Sequence, residues 1–235
     1  MRTLLTAGSV RIPCLLFFLL ALVTAFAGEP YHPQIDPTDF THLVSNPYFP
    51  LVPGTTATYN EQRRGESREN KVVVTRETKI IMGVKCVVVH DTVTLDGVLK
   101  EDTFDYFAQD RQGAVWCFGS TTKEAKPGGR VSTEGSWEAG VQGAQPGIMM
   151  PAHPAVGDRY RQEYRPDVAE DIGQIAALDE TVTVPGGTFK ACVRTREWSM
   201  LESGTSRKWY AKGTGLVRAE STDGEVSTLL SITRK

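Results

Sequence analysis

The chain has 235 residues, 26 of them basic and 28 acidic, a formal net charge of −2, and 40% hydrophobic residues. That balance excludes a general nucleic-acid binder, which needs a basic footprint, and there is no Lys/Arg cluster suited to anionic lipid. Length and composition fit one large β domain better than two small ones.

Arg2 and Arg11 give a positive start, an apolar run follows from Ile12 to Phe26, and Ala25-Phe26-Ala27 ends it in a small-x-small pattern. The run is about 15 residues, short of the roughly 20 a spanning helix needs. Residues 1–27 therefore read as a cleaved secretory signal peptide. The expected location is exported, periplasmic or extracellular, with no transmembrane segment after cleavage. Cys14 precedes the apolar run, the wrong side for a lipid-modified cysteine. Removing residues 1–27 takes the net charge to −4.

Residues 28–53 form a lead-in with Pro30, Pro33, Pro37, Pro47, Pro50 and Pro53, a density that forbids regular ladders. Asp36 as a cap with Pro37 at the first helical position predicts one short helix. Residues 54–235 read as a β domain. Runs rich in Val, Thr and aromatics occur at 55–60, 71–81, 85–95, 98–108, 114–118, 159–165, 172–184, 188–198, 207–211, 216–221 and 226–233. Val87, Val89, Asp91, Val93 and Leu95 alternate with Val88, His90, Thr92 and Thr94, which predicts one face on a core and one facing water or a cavity. Leu95-Asp96-Gly97-Val98, Asp110-Arg111-Gln112-Gly113, Pro185-Gly186-Gly187 and Lys212-Gly213-Thr214-Gly215 read as turns. The fold class expected is mainly β: a single antiparallel meander closing into a barrel or half-barrel, the alternative being a β-sandwich.

From Thr121 to Asp158 the strand rhythm fails in a long Gly/Pro-rich excursion, and structureless loops of that length are uncommon in compact domains. Trp137, Ile148, Met149 and Met150 are costly to leave in water, so the excursion is expected to pack across the barrel mouth or a sheet face. Aromatic walls with a few polar groups suit a small-molecule pocket. The candidate ligand-binding residues are Tyr106, Trp116, Trp137, Glu138, Met149, Met150, Glu163, Tyr164 and Glu170.

The block Gly135-Ser136-Trp137-Glu138-Ala139-Gly140-Val141-Gln142-Gly143-Ala144-Gln145-Pro146-Gly147-Ile148-Met149-Met150-Pro151-Ala152 resembles an uncharacterised family of secreted bacterial β-rich proteins. So do Glu101-Asp102-Thr103-Phe104-Asp105-Tyr106, Gln162-Glu163-Tyr164 and Ala169-Glu170-Asp171. The resemblance implies no activity and carries over no catalytic residue. A looser likeness, in the strand-Gly-x-Gly-strand ending, is to lipoprotein-carrier and lipocalin-like barrels.

Catalytic and metal motifs are missing. Gly135-Ser136 and Gly119-Ser120 lack the serine-hydrolase context, and neither His-Glu-x-x-His nor a paired-cysteine motif occurs. His90 reads as a structural residue. Glu101, Asp102, Asp105 and Asp110 suffice for calcium by count, but strand alternation divides them between two faces. No metal or cofactor is expected. Cys86, Cys117 and Cys192 remain after the signal. Cys86–Cys192 is the disulfide expected, worth about 4–5 kcal/mol in the chain-entropy model, with Cys117 left unpaired and buried.

The function expected is non-catalytic binding of a small or lipid-like molecule by an exported barrel. A structural or interaction module of the cell envelope is the first alternative. A carboxylate-dependent hydrolase using Glu138, Glu163 or Glu170 is the second, and needs two acids roughly 5–10 Å apart.

Overall fold

The computed structural model describes residues 31–63 and 65–235. The signal-peptide reading of residues 1–27, and Cys14 with it, lie outside the described residues. The described part of the lead-in holds the short Pro37–Asp39 helix, the two-residue strand Phe40–Thr41 and a Val44–Leu51 bridge, and is otherwise irregular. Asp36 caps that 3₁₀ turn as its sequence predicts, its carboxylate accepting from the Thr38 amide at 2.9 Å.

The strands are, in chain order, β1 (Phe40–Thr41), β2 (Thr55–Arg63), β3 (Glu66–Ile81), β4 (Val84–Leu95), β5 (Val98–Asp110), β6 (Val115–Lys126), β7 (Arg130–Ser132), β8 (Trp137–Glu138), β9 (Gln145–Met150), β10 (Arg159–Arg161), β11 (Glu163–Tyr164), β12 (Asp171–Val184), β13 (Gly187–Ser199), β14 (Ser206–Ala211), β15 (Gly215–Ser221) and β16 (Val226–Arg234). Their order in the one antiparallel sheet is β10-β12-β13-β14-β15-β16-β2-β3-β4-β5-β6-β9-β11, with β1 on β5 and both β7 and β8 on β6. The sheet is a nearly closed barrel. Closure falls to the stretch Arg159–Tyr164, whose first half pairs with β12 and second half with β9. One seam there stays unsealed. No helix among the described residues is long and apolar enough to cross a membrane.

Turn chemistry sets the register. Asp96 and Gly97 both sit at positive φ (52° and 75°), as a two-residue hairpin twisted like its strands requires. Asp110 accepts from the amides of Gln112, Gly113 and Ala114 through one carboxylate oxygen, at 2.8–2.9 Å, and so fixes the β5–β6 turn. Thr121–Asp158 is more regular than its composition suggests. It holds the end of β6 and the short strands β7, β8 and β9, each hydrogen-bonded back onto β6.

Followed strand to strand, the register places Val74, Val89, Asp105 and Ser120 on one face, and beside them Val72, Asp91, Thr103 and Thr122. Across the barrel, Ile175, Thr195, Lys208 and Ala219 share a row, with Gly173, Glu197 and Ser206 in the next. This inner face is apolar at one end and polar at the other. Phe49, from the lead-in, packs between Phe107 of β5 and Tyr210 of β14 at 5.4 and 6.1 Å between ring centres and so fills the apolar end. Buried Asn46 anchors that segment: its amide nitrogen donates to the Gly113 and Pro151 carbonyls and its oxygen accepts from the Tyr48 amide.

The expected Cys86–Cys192 disulfide is not formed, and the three described cysteines are free and buried. Cys86 packs in the core cluster of β4–β6, whereas Cys192 packs in a separate cluster with Val182, Val217 and Leu229. Loop entropy rewards a long cross-link only where the two Cβ atoms meet, and here they sit in different cores.

Candidate functional site

At the polar end a cleft of about 540 Å³ opens beside the seam, between the ends of β12–β15 and the Leu201–Thr205 loop. Its walls carry Gln162, Glu163, Asp171, Glu197 and Lys208, with the hydroxyls of Ser199, Ser206 and Ser227.

Alternation brings these side chains inward. Thr195, Glu197 and Lys208 occupy the face that elsewhere carries Val193 and Ile175. Glu197, 6% exposed, accepts from the Lys208 ammonium at 2.7 Å and from the Thr195 hydroxyl at 2.7 Å. Burial works against its charge, but the Lys208 charge and these hydrogen bonds outweigh it and hold its carboxyl below the ordinary range. Burial likewise works against the Lys208 ammonium, and Glu197 outweighs it, leaving Lys208 more basic than usual. Gly173 is required here, because a Cβ would stand 2.6 Å from the Tyr160 ring.

Glu163, half-buried, is the second acid of this wall. The Trp137 indole donates to it at 3.1 Å. Burial, then the charges of Asp171 and Asp105, push its carboxyl up to about 8. Asp105 rises to about 6, chiefly by burial, with the Ser120 hydrogen bond opposing. Asp171 is raised too, chiefly by burial, against a Ser199 hydrogen bond. Further along the inner face, burial and neighbouring acids take Asp91 to about 8 and Glu61 to about 7. The lumen thus holds a chain of carboxyls, several of them neutral near neutral pH, with the half-buried Lys208 ammonium among them.

The residues expected from sequence are dispersed. Glu163 lines the cleft, and Trp137, 4% exposed, lies behind it in the core. Tyr106 is buried, its hydroxyl 3.0 Å from that of Thr121 and its ring 4.2 Å from the Lys79 ammonium, which also pairs with Glu138 at 2.6 Å. The Trp116 indole donates to Asp110 at 2.9 Å and its ring meets Phe40 edge-on. Met150 is fully buried and Met149 packs on the same core. Tyr164 lies under the Arg161 guanidinium at 4.7 Å, and Glu170 faces Arg161 at 3.8 Å. Glu138, Glu163 and Glu170 are each engaged by a different partner.

Gln162, Asp171, Glu197 and Lys208 were not among the expected site residues. Their signal was present as polar residues interrupting an apolar alternation: Val193, Thr195 and Glu197 on β13, and Lys208 and Tyr210 on β14. His90 is structural in its surroundings, stacked on Phe104 at 4.3 Å and 2.6 Å from Asp102. Among the described residues no group of three or more His, Cys, Asp or Glu is placed to hold a metal ion.

No protein-family model and no curated protein matches the chain. Two solved structures are similar to it. One, a protein from Bacteroides fragilis described as exported and of YmcC-like fold, shares 18% identity at a TM-score of 0.48, over 80% of this chain and 99% of that one. The other, from Parabacteroides distasonis and described as a lipoprotein, shares 15% identity at a TM-score of 0.47, over 79% of this chain and 98% of that one.

Proposed function

We propose that the protein is an exported, non-catalytic binding protein that holds a small molecule in the polar mouth of its barrel. The cleft carries the reading: at about 540 Å³ it lies within the roughly 300–1,000 Å³ of ligand sites, and it is built from side chains on several adjacent strands rather than from loops alone. Its walls carry hydroxyls, an amide, carboxyls and the Lys208 ammonium beside Val168, Trp198 and Leu201, and the charged groups favour a polar ligand over the lipid-like one. Export rests on residues 1–27. The barrel acids are engaged by structural partners, Glu197 by Lys208 and Glu163 by Trp137, as suits holding a ligand rather than transforming it.

Native mass spectrometry of the mature protein, purified from its own host's envelope, tests this. A reproducible extra mass lost on denaturation supports the reading. The bare polypeptide mass, with no small molecule protecting the β12–β15 ends from hydrogen exchange, counts against it.

A further inference from the structure

No run of the sequence carries a basic cluster, yet the sheet assembles one from distant strands. The register sets Arg159 of β10, Gln174 of β12, Arg196 of β13 and Arg207 of β14 side by side in one row of the outer face. Like charges directly opposite on neighbouring strands are destabilising. Glu220 answers Arg207 at 2.7 Å, whereas Arg159 and Arg196 have no carboxylate at ion-pair distance among the described residues. Both guanidiniums instead lie over the Trp198 ring, at 5.5 and 5.4 Å from its centre. The row is left with two positive charges that no acid of the chain neutralises.

The same face is graded along β13. Arg194, Arg196 and Trp198 alternate outward, and Met200 continues their parity, its amide donating to the Glu170 carbonyl at 2.9 Å. Met200 is 59% exposed and the neighbouring Leu201 43%. From the strand's end inward the order is therefore apolar, indole, guanidinium, over about 13 Å at roughly 3.3 Å per residue. That is the order of chemistry met on leaving a bilayer: acyl chains, the boundary where indoles settle, then phosphates. A guanidinium pairs with phosphate through two parallel N–H groups. Acids border the face as well. Glu180 holds Arg194 at 2.9 Å, and Asp158 and Glu202 flank the strand ends.

Going beyond the cleft, we propose that this outer face docks the protein on an anionic phospholipid surface. Met200 and Leu201 enter the headgroup boundary, Trp198 lies at it, and Arg159 and Arg196 hold lipid phosphates. A soluble polyanion would engage the arginines but leave the two exposed apolar side chains in water.

The experiment is co-sedimentation of the mature protein with vesicles of phosphatidylglycerol and phosphatidylcholine in equal parts, and with vesicles of phosphatidylcholine alone. Expected are binding to the mixed vesicles, much weaker binding to the neutral ones, and loss of binding in high salt, which screens the charges. Arg159→Gln combined with Arg196→Gln should weaken binding by about tenfold to thirtyfold, the share of two basic residues at an anionic surface. Lys85→Gln combined with Lys123→Gln removes the same charge from exposed positions on β4 and β6 and should leave binding nearly unchanged. Met200→Ser should also weaken it, and this exposed substitution reads the same contact if the arginine variant fails to fold. Equal binding to the two vesicle types overturns the inference, as does an equal loss in the arginine and lysine variants. Absence of vesicle binding overturns it too, and retention on dextran sulfate in that case would assign the face to a polyanionic polymer.

Discussion

Replacing Glu163 by Gln tests the account of the barrel interior most directly. In the unfolded chain this carboxyl titrates near 4.5, whereas in the folded protein burial and the Asp171 and Asp105 charges raise it to about 8. Below pH 4.5 it is protonated in both states and does not make stability depend on pH. Between 4.5 and about 8 the unfolded chain releases the proton and the folded chain keeps it, so stability falls as pH rises. The gap corresponds to at most about 5 kcal/mol. The adjoining cleft admits water and raises the effective dielectric, so about 1–3 kcal/mol is the effect expected at pH 9. Gln keeps an oxygen to accept from the Trp137 indole and removes the titration. The variant should match wild type at pH 5 and exceed it at pH 9 by about 2–12 °C in Tm, at roughly 2–4 °C per kcal/mol for a domain of this size. Calorimetry of ligand-free protein between pH 5 and 9 reads this out. Asp91 and Glu61, which are not coupled to Glu163, contribute alike in both proteins, so the difference reports Glu163 together with its coupling to Asp105 and Asp171. A difference that is constant with pH, or a variant less stable at pH 9 than at pH 5 relative to wild type, would refute a proton-holding Glu163.

Trp137→Ala should cost about 3–5 kcal/mol, because the indole is 4% exposed in the main core. Chemical denaturation measures it, and a near-neutral change would place Trp137 outside the core. Gly147→Ala should destabilise by about 1–3 kcal/mol, since a Cβ there would stand 2.6 Å from the Arg161 carbonyl oxygen and press on the Gln162 backbone. Hydrogen exchange should quicken first in β9 and β11, and uniform quickening would show that the seam is no weak point. Thiol titration in denaturant without reductant should find Cys86, Cys117 and Cys192 reactive, and in the native protein all three slow, being buried with thiols raised by burial. A two-dalton deficit in the intact mass would reinstate a disulfide.

Local chemistry made much of the sheet legible. Asp96-Gly97 and the Asp110–Gly113 turn name their own backbone angles, and the alternation through Val87–Leu95 names the period of β4. Each of these signals is complete within a few residues. The closure of the barrel is not. β10 and β11 have three and two residues, too short for alternation to register, and their role comes from the distant partners Gly173 and Pro146. The excursion was legible only in outline for a related reason: its glycines and prolines mark real turns, but the short strands between them exist only because the β6 edge is there to pair with. Cys86 and Cys192 looked like a pair because chain separation was visible and Cβ position was not.

The candidate site shows the same divide more sharply. Composition drew attention to Trp, Met and the nearby acids, and those aromatics serve mostly as core, as large apolar side chains near a long loop usually do. Glu197 and Lys208 looked ordinary because each is a charged residue on a strand with charged neighbours, Arg196 and Arg207 among them. What distinguishes them is parity. Arg194 and Arg196 point outward, where Arg196 lies 5.4 Å from the Trp198 ring, while Thr195 and Glu197 take the face that Val193 assigns to the interior. A charge out of phase with its strand's polar face must be paired, neutralised or used. Glu197 is paired with Lys208, and Glu163 is held neutral by its surroundings. Gln162, between the two, sets its amide beside Glu197 and adds to what keeps that carboxyl ionised, so each charge that breaks the alternation in this wall has an answer within the chain.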